Sequence, residues 1–232
     1  SFRDITERKQ AEQALRESEA NFRALFEQMA VGVAQIETTT GRFVTVNRRY
    51  SEIIGYTEEE MQRLTFQEIT HPDDLPPDLE NMDRLHRGEI REFSMEKRLF
   101  RKGGAIAWVR LSVSAPWNFG GPVVFHTAVI EDITERKRAE AELRDNAEKF
   151  QALFAQSPLA IVLTTIPEGR VADANPAAEM LLDRNLDEVR GKTTLELNVW
   201  VDPADRARAM QMLQQEGVLS NFEARMRRKD GV

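Results

Sequence analysis

Residues 90–115 read IREFSMEKRLFRKGGAIAWVRLSVSA, and this stretch decides the fold. Two runs with alternating apolar and polar residues flank Lys102-Gly103-Gly104. A period of two puts Met95 and Leu99 on one face of the first run. The same period puts Val109, Leu111 and Val113 on one face of the second. Glycine supplies the backbone freedom of a tight turn, so the stretch reads as a hairpin of two long strands, Ile90–Arg101 and Ala105–Ala115. A third run, Pro122–Ile133, follows a turn at Asn118–Pro122 and places His126, Ala128 and Ile130 on one face. Consecutive hairpins make an antiparallel sheet.

Upstream, Val31–Glu37 and Arg42–Val46 form another hairpin, turning at Gly41. Asn47 then caps a short helix to Ile54 that Gly55 closes. Glu58–Leu64 reads as a further helix. His71-Pro72-Asp73-Asp74 reads as a helix start, with the proline in the first turn and the aspartates at the positive end of the dipole. That helix runs to about His86 and ends at Gly88. Two strands, several short helices and three strands make an α+β fold.

The chain repeats itself. Asp-Ile-Thr-Glu-Arg-Lys stands at 4–9 and again at 132–137. At the same offset Leu15 matches Leu143, Phe22 matches Phe150, Phe26 matches Phe154 and Asn47 matches Asn175. After a small drift, Glu96-x-Arg98 matches Glu223-x-Arg225, and Arg101-Lys102 matches Arg228-Lys229. Such a period means modules in series. The sequence reads as the tail of a preceding unit at 1–9, a linker helix at 10–28, a complete unit at 29–135, a second linker helix at 136–156, and an incomplete unit at 157–232. The last lacks counterparts of the final two strands, which predicts incomplete pairing over 159–232.

In the linkers, Leu15, Glu19, Phe22 and Phe26 recur at heptad spacing, as do Leu143, Ala147, Phe150 and Phe154. Two readings fit: an amphipathic helix packed on its own domain, or a parallel coiled coil joining two copies of the chain.

Composition narrows the function. The chain of 232 residues is 41% hydrophobic with a formal net charge of −7. That balance argues against nucleic acid as partner. Without cysteine there is no disulfide, thiolate metal site, cysteine nucleophile or cysteine-linked chromophore. No apolar run is long enough to span a membrane, so no membrane contact is expected within the chain, and a cytoplasmic location is. The parent protein could still carry a membrane anchor. The histidines, at 71, 86 and 126, share no metal-ligand spacing, so neither a catalytic nor a metal site is expected.

The order of elements, with Asn47, Ile54-Gly55-Tyr56, His71-Pro72-Asp73-Asp74, Glu96-x-Arg98, Arg101-Lys102-Gly103-Gly104, Trp108-Val109 and Asp132-Ile133-Thr134, resembles the PAS family of sensor domains. The resemblance implies a five-stranded antiparallel sheet with short helices on one face and a pocket between them. It implies binding and relay, not catalysis. Candidate pocket residues are Asn47, Tyr50, Met95, Leu99, Val109, Leu111, Val113, His126, Ala128 and Ile130. His126 has two readings, a hydrogen bond to a ligand or a histidine satisfied by backbone or water. Asn47 and Tyr50 are also explained by capping and core packing. Flavin members of the light-oxygen-voltage type need a cysteine, which this chain lacks. Haem members carry a histidine near the place of Glu80, which speaks against haem and leaves His86 a weak candidate. Non-covalent flavin or a metabolite stays open. In the family Asp132, Ile133 and Thr134 mark the junction where a signal leaves, and Asp132 is expected to meet a basic group of the core.

The functional expectation is a sensory relay segment of a bacterial multi-PAS signalling protein, dimeric through its linker helices. A histidine kinase or diguanylate cyclase would form the output. The alternative is a ligand-free scaffold for dimerisation or protein–protein contact.

Overall fold

The computed structural model describes residues 2–115, 125–166, 168–229 and 231, with side chains from residue 12 onward. The expected turn at Asn118–Pro122, the start of the third long strand and Asp230 lie outside the described residues. The chain divides into two compact units between Ala141 and Glu142.

The first unit opens with helix α1 (Phe2–Gln28). Strands β1 (Gly32–Glu37) and β2 (Phe43–Val46) follow, then β3 (Glu92–Phe100), β4 (Ile106–Ser114) and β5 (Phe125–Asp132). They form one antiparallel sheet in the order β2-β1-β5-β4-β3. The last strand lies at the centre, so the sheet closes only when chain ends far apart in sequence meet. Phe93, Met95, Lys97 and Leu99 of β3 pair with Val113, Leu111, Val109 and Ala107 of β4, which puts all eight on one face.

Helices cover that face. They are α2 (Arg48–Ile54), α3 (Glu58–Met61), α4 (Phe66–Ile69) and α5 (Leu75–His86). Tyr50, Ile53, Ile54, Met61, Phe66, Ile69, Met82 and Leu85 are buried against Ala34, Ile36, Leu99, Val109, Leu111 and Ile130. Burying each larger side chain contributes about 1.5–3 kcal/mol. At Gly32 the sheet and α2 approach so closely that a Cβ would stand 2.7 Å from Ile130 and 3.0 Å from the Tyr50 backbone.

Two local expectations change. The helix expected over 58–64 ends at Met61, and a separate helix that was not expected, α4, follows at Phe66–Ile69; each starts with its own capping box, Thr57 with Glu60 and Thr65 with Glu68. Pro72 is not in the first turn of α5, which begins at Leu75 and carries Pro76 and Pro77 there. The Asp74 side chain makes no cap bond because it is held by Arg98.

Helix α6 (Thr134–Gln156) leads into the second unit, which contains β6 (Val162–Thr164), β7 (Val171–Ala174), α7 (Pro176–Leu182), α8 (Leu186–Val189) and α9 (Pro203–Glu216). β6 and β7 form a two-stranded antiparallel sheet. Among the described residues of this unit, the remaining strand-type pairings are single bridges, Arg170 to Thr193 and Trp200 to Met226. The buried cluster is small: Val171, Val189, Leu197 and Val199.

Candidate functional site

Between the helices and the sheet of the first unit lies a cavity of about 20 Å³, room for a single water molecule. Of the expected pocket residues, Tyr50, Leu99, Leu111, Val113, His126 and Ala128 line it. Val109 and Ile130 are fully buried in the core outside the lining, and Met95 is partly buried against that core.

The lining also holds two charged residues that the sequence reading passed over. Lys97 Nζ meets Asp78 Oδ2 at 2.5 Å and Thr70 Oγ1 at 3.1 Å, and both charged side chains are at most 3% exposed. The signal was present. Lys97 sits between Met95 and Leu99 on their face of β3, and Asp78 precedes Met82 and Leu85 by helical steps on α5. A buried ion pair must offset the cost of taking two charges out of water, which only close contact and added hydrogen bonds achieve. Burial pushes the Lys97 ammonium below its usual range while Asp78 pulls it back. Burial, and then the Asp78 charge, push the Tyr50 hydroxyl upward.

His126 stands on β5 opposite Ile36 of β1, with Nδ1 3.4 Å from Thr38 Oγ1. Burial, then the charge of His86, push it down to about 4, so the ring is neutral near pH 7. Glu80 and His86 are exposed on α5. Neither lines the cavity, and a haem or flavin does not fit in this space. Among the described residues, no three or more His, Cys, Asp or Glu side chains are grouped to hold a metal.

Asn47 is not part of the cavity lining and ties three elements together. Its Oδ1 accepts from the Val33 and Tyr50 amides at 2.8 and 2.9 Å. Its Nδ2 donates to the Phe26 and Val31 carbonyls, both at 3.0 Å. All the bonding capacity of its amide that matters when buried is used, so the end of α1, β1 and α2 are pinned to one side chain. Asn175 repeats the pattern in the second unit. It accepts from Ile161 and Ala178 and donates to Phe154 and Leu159.

The junction from β5 to α6 is equally specific. Asp132 Oδ2 accepts from Arg101 Nη2 at 2.9 Å, and Oδ1 accepts from the Thr134 amide at 2.9 Å. Arg101 also donates to the Ile53 carbonyl at 2.6 Å, which connects the junction to the end of α2. Thr134 Oγ1 accepts from the Trp108 amide at 3.1 Å, and Ile133 is buried. Burial raises the Asp132 carboxyl, but the bonds from Thr134 and Arg101 outweigh it and hold the group below its usual range. One turn on, Arg136 and Lys137 pair with Glu96 of β3 at 2.6 and 2.7 Å. These two bonds hold Glu96 down to about 2.

An antiparallel sheet of this order, with short helices on one face and an exit helix tied to the sheet, defines an α+β domain. The PAS fold family matches residues 43–128, and the PAS domain family matches residues 148–217. The chain therefore belongs to the PAS domain family, with two PAS regions in tandem. It is 40% identical over 124 residues to a probable diguanylate cyclase of Escherichia coli K12, covering 53% of this chain and 11% of that protein. It is 31% identical over 132 residues to a sensor histidine kinase of Ectopseudomonas mendocina, covering 56% of this chain and 13% of that one. The chain thus spans only a small part of the curated relatives it matches. A solved sensory box histidine kinase/response regulator of Burkholderia thailandensis superposes with a TM-score of 0.45 at 25% identity, covering 57% of this chain and 98% of that one.

Proposed function

We propose that this chain is the sensory relay segment of a multi-PAS bacterial signalling protein whose output is a histidine kinase or a diguanylate cyclase. The observation that carries the reading is the junction at 132–137. Every polar member of Asp132, Thr134, Arg136 and Lys137 binds the sheet or its neighbours, so sheet geometry sets the start of α6. The kinase and cyclase named among the relatives support the choice of outputs. The role is regulatory, without chemistry of its own. In this reading two PAS regions, one within 29–135 and one beginning near 157, are joined by the helix at 136–156, and the helix at 10–28 leads into the first.

The linkers carry the dimer in this reading. Leu15, Phe22, Leu143 and Phe150 are each more than half exposed. Apolar side chains at heptad spacing with no cover suit a second copy of the chain. Sedimentation equilibrium checks this, with a monomer at micromolar concentration as the contrary result. No helix of the described residues is long and apolar enough to cross a membrane, and we place the segment in the cytoplasm.

A ligand-free first unit is favoured by the cavity, which at about 20 Å³ leaves room for one water. A colourless purified protein is the expected result, and bound flavin or haem absorbance would reverse this part. For the relay itself, Asp132→Ala in the full-length parent should leave the unit folded and weaken the response of output to signal. Unchanged signalling would sink the reading.

A further inference from the structure

Three consecutive residues of β3 hold three different points of the helical layer. Glu96 takes Arg136 and Lys137 in the first turn of α6, at 2.6 and 2.7 Å. Lys97 turns to the opposite face and takes Asp78 inside the core at 2.5 Å. Arg98 turns outward again, and its Nη2 and Nε donate to the two carboxylate oxygens of Asp74, at the start of α5, at 2.7 and 2.9 Å. The Arg98 amide donates to the same carboxylate at 2.7 Å. Strand alternation forces this arrangement, since neighbours on a strand point to opposite faces. The outer contacts share a further partner, because Arg98 and Lys137 lie 5.5 and 5.3 Å from the centre of the Trp108 ring.

We propose that β3 at 96–98 is a lever. In it the core contact Lys97–Asp78 and the helix contact of Glu96 with Arg136 and Lys137 are energetically coupled. A change at the first then alters how firmly the first turn of α6 is held. Removing either partner of the core contact leaves a buried charge unpaired, so the pair constrains where β3 lies against α5. Both Asp78 and Lys97 line the cavity between the helices and the sheet. Lys97 and Asp78 act as positioning residues, since neither touches α6. The inference deepens the relay reading and adds a route separate from Asp132 and Arg101.

The test is hydrogen exchange on the whole chain, read at the amides of residues 134–141. Four proteins are compared: wild type, Glu96→Gln, the apolar pair Asp78→Leu with Lys97→Met, and all three changes together. Each single perturbation should speed exchange at the first turn of α6 by at least about threefold, and the triple variant should depart from the product of the two by a similar factor. Wild-type exchange in the apolar-pair variant would overturn the lever, and so would two effects that simply multiply. If the apolar pair fails to unfold cooperatively, Asp78→Asn keeps the shape of the site and decides in its place. Asp132→Ala in the same assay reports the other route, so failure of the lever leaves the relay reading separately testable.

Discussion

The two units begin alike and end differently. Asn47 and Asn175 make matching hydrogen bonds to residues at the same spacing, and each fastens the end of a long helix to a first strand and a following helix. Beyond that point the first unit closes a five-stranded sheet over a continuous core, while the described part of the second pairs two strands and has a buried apolar cluster of four residues. Local sequence rebuilds a local junction wherever it recurs. A core needs strands brought from far along the chain, as β5 is brought between β1 and β4 in the first unit.

The largest effect expected from this contrast is at the buried ion pair, which the second unit does not have among its described salt bridges. Lys97→Ala leaves Asp78 charged and unpaired, and should cost the first unit about 3–5 kcal/mol in urea unfolding. The apolar pair variant should be close to neutral, so equal losses in both would refute the physical account. Exchange at second-unit amides should not move in either.

Next comes acid. All three histidines lie in the first unit. His126 titrates near 4 when folded, below its ordinary 6.5, so the unfolded chain takes up the extra proton first as pH falls. Stability of the first unit should therefore drop between pH 6.5 and about 4, by at most about 3 kcal/mol, and this group adds no further loss below that. Thermal melts of wild type and His126→Gln over that window check it. An identical slope in the variant would exclude His126 as the source.

The shared junction gives the third test. Asn47→Ala and Asn175→Ala each strand several buried amide and carbonyl groups, at a cost of about 2 kcal/mol in the unit that carries the change. Residue-resolved exchange would reveal the reverse, an Asn175 change felt mainly in the first unit. The smallest effect belongs to the second unit's pair of Lys229 with Glu188, both about half exposed. Lys229→Ala should cost no more than about 0.5 kcal/mol by chemical denaturation. A larger loss would show that the second unit depends on its surface charges more than a solvated pair allows.

Much of the fold was legible. Alternation at 90–115 placed β3 and β4 to within two residues at each end, and Asn47 and Gly55 marked both ends of α2. Capping boxes at Thr57-x-x-Glu60 and Thr65-x-x-Glu68 are both readable in the sequence and mark the starts of α3 and α4. The site was legible in part. Apolar strand faces pointed to Leu99, Leu111 and Val113, but alternation alone does not show that Lys97, on the same face, is buried. Its burial became visible only when α5 brought Asp78 across from a distant part of the chain.

The repeated hexamer separates the two kinds of information most sharply. Its sequence alone determined the repeat, the polar groups at a junction and the charged helix that follows. Its conformation was left to the tertiary structure. At 132–137 the pairing of Val109 with Asp132 holds the first residue extended and the helix starts at Thr134. At 4–9 the same six residues lie wholly within α1. Intrinsic preference differs too little between helix and strand to decide such a segment, so at 132 the hydrogen bonds offered by β4 decide it.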